Sequence, residues 1–194
     1  LPDAAVHVET GEDSAVITCD ASSFSIKTLD AEDFPGFPHV DTQQAISIPF
    51  SQFSSMVKRV ARVVSKDESR AILTGVLITF EGETLKMVAT DSYRLAITEA
   101  QLGEPAAEGF QAVISGSFLQ ELASLTRTDD PLTIALAENQ IVVTYHDTVF
   151  INRRIEGNFP NYRQLLPDSY ATRVRLNVSH LVSGVKRTSI LGQQ

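Results

Sequence analysis

The sequence predicts an α+β fold built from duplicated halves, each a helix followed by three antiparallel strands. Three observations lead there. The chain repeats itself with a period of roughly 125 residues: Val16–Cys19, Phe24, Ile26–Lys27, Leu29–Asp30 and Phe34–Pro35 return as Val142–Tyr145, Phe150, Asn152–Arg153, Ile155–Glu156 and Phe159–Pro160. With a register shift of about three residues, Ser51, Ser55 and Val57-Lys58-Arg59 return as Ser179, Ser183 and Val185-Lys186-Arg187. Most segments alternate apolar and polar residues as half-buried strands do, and two segments carry apolar stripes at helical spacing. A second unit then starts near Ile46 and a third near Arg173, so one whole unit is expected between two partial ones, as in a piece of a longer array.

The elements follow in order. Ala4 to Val8, Ser14 to Asp20 and Ser23 to Leu29 alternate as antiparallel strands, with Gly11-Glu12-Asp13 as a turn. Asp30 to Asp41 holds Pro35, Gly36 and Pro38 and predicts a linker. From Ser51, an expected N-cap, Phe53, Met56, Val57, Val60, Val63 and Val64 recur at spacings of three and four and predict a helix. A charged loop, Lys66 to Arg70, precedes strands over Leu73 to Phe80, Leu85 to Thr90 and Arg94 to Glu99. Ser117 to about Thr126 reads as a second helix, with Ser117 and Gln120 as a capping box and Phe118, Leu119, Leu122 and Leu125 buried. Strands over Leu132 to Leu136, Ile141 to Tyr145 and Val149 to Ile155 complete the second half.

Composition excludes more than it assigns. At 43% hydrophobic and 21% charged, the chain is an ordinary globular sequence. Its one cysteine, Cys19, lies in a strand-like run and reads as a core thiol, and its four histidines have no second His or Cys at ligand spacing. A reducing cytoplasm is the expected compartment. No apolar run approaches the length of a membrane span. No phosphate-binding glycine loop, nucleophile elbow or paired metal ligands occur, and the carboxylates of Asp67-Glu68, Glu81-Gly82-Glu83 and Asp129-Asp130 read as solvated turns. No catalytic residue, cofactor or metal site is expected. The first helix is apolar on one face, while Lys58, Arg62 and Lys66 fall four apart on the other with Arg59 beside them.

Met87-Val88-Ala89-Thr90-Asp91-Ser92-Tyr93-Arg94-Leu95-Ala96, preceded by Arg70 to Val76 and followed by Phe159-Pro160-Asn161-Tyr162-Arg163-Gln164-Leu165-Leu166-Pro167, resembles the bacterial sliding clamp family, the beta subunit of DNA polymerase III. The resemblance implies the DNA-clamp fold, with antiparallel sheets outside and helices lining the hole of a ring. It implies residues 1–40 as the end of a first domain, 41–167 as a complete second and 168–194 as the start of a third. The implied function is that of a non-catalytic processivity factor, which encircles duplex DNA without sequence specificity and tethers the polymerase catalytic subunit and clamp loader through their short linear motifs. The alternative is a duplicated α+β interaction scaffold that never encircles DNA.

A net charge of −8 argues against general nucleic-acid binding, because such binding rests on cations that neutralise phosphates. A ring resolves the conflict by turning basic helices inward. The resemblance then makes Lys58, Arg59, Arg62, Lys66, Lys186 and Arg187 the DNA-facing set. Where the family commonly carries a basic residue at the start of the second helix, this chain has Gly116 and Ser117, so less contact is expected there. A partner-peptide pocket is implied with Thr90, Leu95, Pro160 and Leu165 as walls and Arg70, Ile72, Leu73, Ser92, Tyr93, Arg94 and Gln164 around them. Ser92 and Tyr93 replace the small residue and histidine often seen. Head-to-tail self-association into a ring dimer is implied through an edge near Phe24 and Ile26.

Overall fold

The computed structural model describes residues 3–33, 36, 45–103, 111–125, 130–137 and 139–192. The linker expected over 30–41, the boundary at 40–41, Thr126 and Asp129 lie wholly or partly outside the described residues, and the second helix ends at Leu122, short of the expected Thr126. Contacts divide the chain into two compact units, Leu1–Thr42 and Gln43–Gln194.

The smaller unit is an antiparallel meander of β1 (Val6–Thr10), β2 (Ser14–Cys19) and β3 (Ser22–Lys27). Its register opposes Val8 to Ile17 and Ile17 to Phe24, so Val6, Val8, Ile17, Cys19, Phe24 and Ile26 share one apolar face. Cys19 is buried there, whereas Val6, Val8, Phe24 and Ile26 are about half exposed.

In the larger unit each half is longer than the sequence suggests. A strand precedes each helix: β4 (Ile46–Pro49) leads into α1 (Phe50–Val60), and β8 (Gln111–Ser115) into α2 (Gly116–Leu122). After α1 come β5 (Gly75–Glu81), β6 (Thr84–Thr90) and β7 (Leu95–Gln101); after α2 come β9 (Pro131–Leu136), β10 (Gln140–Tyr145) and β11 (Thr148–Arg153). The leading strands are exchanged. β4 pairs with β9 and β8 with β5, giving sheets ordered β11-β10-β9-β4 and β7-β6-β5-β8. Two-residue loops close the β2–β3, β5–β6 and β10–β11 hairpins, and the first loop residue of each, Asp20, Gly82 and His146, has φ of 49°, 60° and 51°. A left-handed residue there suits the twist of the strands it joins. The turns at Asp20 and His146 lie one repeat apart, in keeping with the duplication.

One core lies between helices and sheets. Phe50, Phe53, Val57 and Val60 of α1 and Leu119 and Leu122 of α2 pack on Ile78, Leu85, Met87, Ile134, Ile141 and Val143. Phe50 stacks on Tyr145 with ring centroids 4.6 Å apart. The helices are tied reciprocally: Ser54 Oγ donates to the Ala123 carbonyl (3.0 Å) and Gln120 Nε2 to the Ala61 carbonyl (2.8 Å). Each donor is four residues past the start of its helix, and each acceptor follows the other helix's last residue.

Several local expectations are corrected. Ser51 does not cap α1; Pro49 precedes it, and the Phe50 N–H donates to the Asp130 carbonyl instead. Ser115, not Ser117, caps α2, and Gln120 reaches α1 rather than closing a capping box. Helix α1 stops at Val60, so Val63 and Val64 pack on the core from the following turn, and Arg62 and Lys66 lie beyond the helix. The charged loop folds from Glu68 into a 3-10 turn, Glu68–Thr74, that takes in Leu73.

The last element, α3 (Val178–Ser189), is capped by Asn177, whose side chain accepts from the Ser179 N–H (3.0 Å). Its stripe of Val178, Leu181, Val182 and Val185 is exposed and repeats the buried α1 stripe. Replacing the fully buried Phe53 with Ala is expected to cost about 3–5 kcal/mol in urea unfolding, because a ring's contacts vanish from a core that cannot fully collapse.

Candidate functional site

Two surfaces carry the residues singled out by the sequence. The first is the helix face. Lys58 is half-buried and Arg59 exposed in the last turn of α1, and Lys186 and Arg187 occupy the same place in α3. Cations there also sit well against the carbonyl end of the helix dipole, a stabilising role independent of any ligand. In a chain of net charge −8, neither α1 nor α3 contains a carboxylate.

Across from the end of α1, Gly116 is buried. A Cβ there would meet the Val64 methyls at 2.9 Å and the Thr74 carbonyl at 3.1 Å. A side chain there would force Val64 and the Thr74 backbone to shift.

The second surface is on the outside of the sheet β7-β6-β5-β8. Leu77, Val88, Val113 and Tyr162 form a small second core, against which Ile72, Leu95, Ile97, Ile155 and Phe159 pack. This sheet is thus buried on both faces, which explains the unbroken apolar run Val76-Leu77-Ile78. Phe159 and Tyr162 bring the 159–165 segment against the outer face, and Leu95 brings the end of the 91–94 turn to the same cluster. Arg163 Nη2 donates to Glu81 Oε1, tying the segment to β5, and Lys86 Nζ lies 3.6 Å from Glu81 and 3.2 Å from Glu99, joining β6 to its two neighbours. Pro160, Gln164 and Leu165 remain exposed, the last at 62%.

The 91–94 turn is held by its own polar groups. Asp91 Oδ1 accepts from the Tyr93 and Arg94 N–H groups, each at 3.0 Å, and Oδ2 accepts from Arg94 Nε. Thr90 is buried: its hydroxyl donates to the Arg94 carbonyl and accepts from the Ser92 N–H. Ser92 has φ of 77°, a strained conformation for a residue with a Cβ. Arg70 supports it, donating through Nη1 to Ser92 Oγ (3.0 Å) and through Nε to Asp67 (2.9 Å). Arg94 Nη2 is used elsewhere, donating to the Arg62 carbonyl beyond α1 (3.1 Å). Tyr93 stands out at 93% exposure.

Sequence reasoning missed Asp67, Glu81, Lys86, Asp91 and Tyr162 as organisers. Only the aspartates left a local signal, since each is followed by small or polar residues in the pattern of an Asp-led turn.

The Tyr93 N–H, then the Arg94 N–H and guanidinium, hold the Asp91 carboxyl below its ordinary value, and the Ser69 hydroxyl followed by Arg70 does the same for Asp67. A depressed folded-state pKa contributes stability above the unfolded value of about 3.9, lost as pH falls through the lower folded value. Asp91→Asn is therefore expected to lower stability at neutral pH and to converge on the wild type only as pH falls from about 3.9 through the lower folded value, measured by urea unfolding across that range.

Among the described residues no group of three or more His, Cys, Asp or Glu could hold a metal, and no helix is long and apolar enough to cross a membrane. A family model described as the central domain of the DNA polymerase III beta subunit matches residues 47–161. The beta sliding clamp of Bacillus subtilis is 30% identical over 196 residues, covering 100% of this chain and 52% of the relative. That of Synechocystis is 31% identical over 193 residues, covering 92% and 49%. A crystal structure of the Bacillus subtilis sliding clamp superimposes with a TM-score of 0.85 at 30% identity, over 98% of this chain and 51% of that one. The chain spans about half the length of these relatives.

Proposed function

The chain belongs to the bacterial beta sliding clamp family, and we propose that it forms part of a non-catalytic, ring-shaped processivity factor that encircles duplex DNA. The observation that carries this reading is the partition of charge: α1 and α3 hold Lys58, Arg59, Lys186 and Arg187 without a carboxylate, in a chain of net charge −8. A ring with such helices inward and its acidic surface outward holds phosphates weakly and without base information, as sliding requires. Arg62 and Lys66 extend the basic surface beyond α1. Residues 1–40, 41–167 and 168–194 are then the end, whole and start of successive domains. On β3, an edge strand among the described residues, Phe24 and Ile26 would close the ring head to tail by strand pairing.

The outer-face cluster is proposed as the docking site for short linear motifs of the replicative polymerase and clamp loader. Leu95, Thr90, Pro160 and Leu165 would supply the apolar slot, with Ile72 and Leu73 beneath. Arg70, Ser92, Tyr93 and Gln164 would orient the peptide. Arg94 supports the turn from behind, through Asp91 and the Arg62 carbonyl.

The two surfaces should separate by mutation in a protein of the relatives' full length that carries this chain. Such a protein should be retained on nicked circular DNA and lost when the circle is cut. Retention indifferent to cutting would contradict encirclement and favour an interaction scaffold. Lys58→Glu with Arg62→Glu should shorten retention without changing peptide affinity. Leu95→Ala should weaken a peptide bearing Leu and Phe anchors by roughly ten- to a hundredfold in calorimetry, the loss expected from one apolar side chain.

A further inference from the structure

The two arginines beside the 90–95 turn are held by the same device. Asp67-Glu68-Ser69-Arg70 and Asp91-Ser92-Tyr93-Arg94 share the pattern Asp-x-x-Arg. In each, one aspartate oxygen accepts from the N–H two residues on, Ser69 at 3.1 Å or Tyr93 at 3.0 Å, and the other pairs with the arginine Nε, at 2.9 Å or 3.1 Å. The carboxylate is thus fixed by its own turn. Each arginine then reaches out of its turn through one Nη, Arg70 to Ser92 Oγ (3.0 Å) and Arg94 to the Arg62 carbonyl (3.1 Å). Two local clips therefore neutralise both cations. Through Arg70 they also tie the 3-10 turn that carries Ile72 and Leu73 to the turn that leads into Leu95.

We propose that Asp67 and Asp91 determine the specificity of the outer-face slot: with Arg70 and Arg94 already engaged, the slot selects uncharged peptides by their apolar anchors and main-chain hydrogen bonds and gives no advantage to an acidic one. The inference rests on the reading that this cluster docks peptides, and adds which peptides it prefers. An incoming carboxylate must displace an aspartate held on the same turn, so one exposed ion pair is exchanged for another and the net gain is close to nothing. An aspartate three residues away also competes at the advantage of an intramolecular partner. The guanidinium N–H groups left over still donate to neutral acceptors such as a peptide's main-chain carbonyl. Of the two clips, the one at Asp67 is the better to open, since its side chain is 46% exposed against 20% for Asp91, and Asn in its place can still accept from the Ser69 N–H.

The test is calorimetry on a protein of the relatives' full length that carries this chain, with a neutral peptide bearing Leu and Phe anchors and a set in which Asp replaces each non-anchor residue in turn. In the wild type no Asp-bearing peptide should bind more than about twofold tighter than the neutral one at low salt. Salt should barely move the neutral peptide's affinity. In Asp67→Asn at least one Asp-bearing peptide should bind roughly two- to fivefold tighter than the neutral one, a preference that high salt removes and that adding Arg70→Gln abolishes. A wild type that already favours an acidic peptide in a salt-dependent way would overturn the proposal, and that arm needs no variant to fold. A folded Asp67→Asn protein without the acidic preference would overturn it as well. Failure of the neutral peptide to bind at all would overturn the docking reading and the proposal with it.

Discussion

The exchange of β4 and β8 between the two sheets is the constraint on which the rest of the larger unit depends. Each half gives its leading strand to the sheet of the other, so neither half can close its own sheet alone. Because α1 follows β4 without a break, and α2 follows β8 likewise, the exchange also sets where both helices start. They lie side by side over one shared core, and Ser54 and Gln120 complete the arrangement by satisfying a terminal carbonyl of the opposite helix.

Placing both helices on one side leaves the other side of β7-β6-β5-β8 to be covered by the cluster of Leu77, Val88, Val113 and Tyr162, and the two sides diverge in chemistry from that point. On the helix side α1 carries Lys58 and Arg59 without a carboxylate, while α2 carries Glu121 and no cation. Toward its edge, the outer face of β7-β6-β5-β8 gathers the carboxylates Glu81 and Glu99 around Lys86, and Glu81 also binds Arg163 of the 159–165 segment. Arg94 spans the two, anchored on Asp91 at the outer turn and reaching the Arg62 carbonyl at the end of α1. The smaller unit repeats half of this plan: the Val8–Ile17–Phe24 row corresponds to Ile134–Val143–Phe150, which packs in the shared core.

Much of this was legible in the sequence where the signal is local. The alternation of Ser14 to Asp20 and of Ile141 to Tyr145 identified strands, and the duplicated Val-Lys-Arg identified the repeat of one unit in the next. The leading strands were not legible, because Ile46–Pro49 and Gln111–Ser115 are too short for alternation to speak and their partners lie far away in sequence. Helix ends failed for a related reason: α1 begins against the Asp130 carbonyl, a contact no local pattern encodes. Of the candidate site, the apolar members were readable as a set through family resemblance alone. The left-handed Ser92 and its support by Arg70 needed the fold, since nothing adjacent to Ser92 announces a positive φ.

The claim that the 90–95 turn and the 159–165 segment form one site is tested most directly by hydrogen exchange of this chain with and without a short peptide carrying Leu and Phe anchors. The account predicts that amides in both segments gain protection together, with α1 and α2 unchanged. Protection in only one segment, or confined to the helix face, would contradict it.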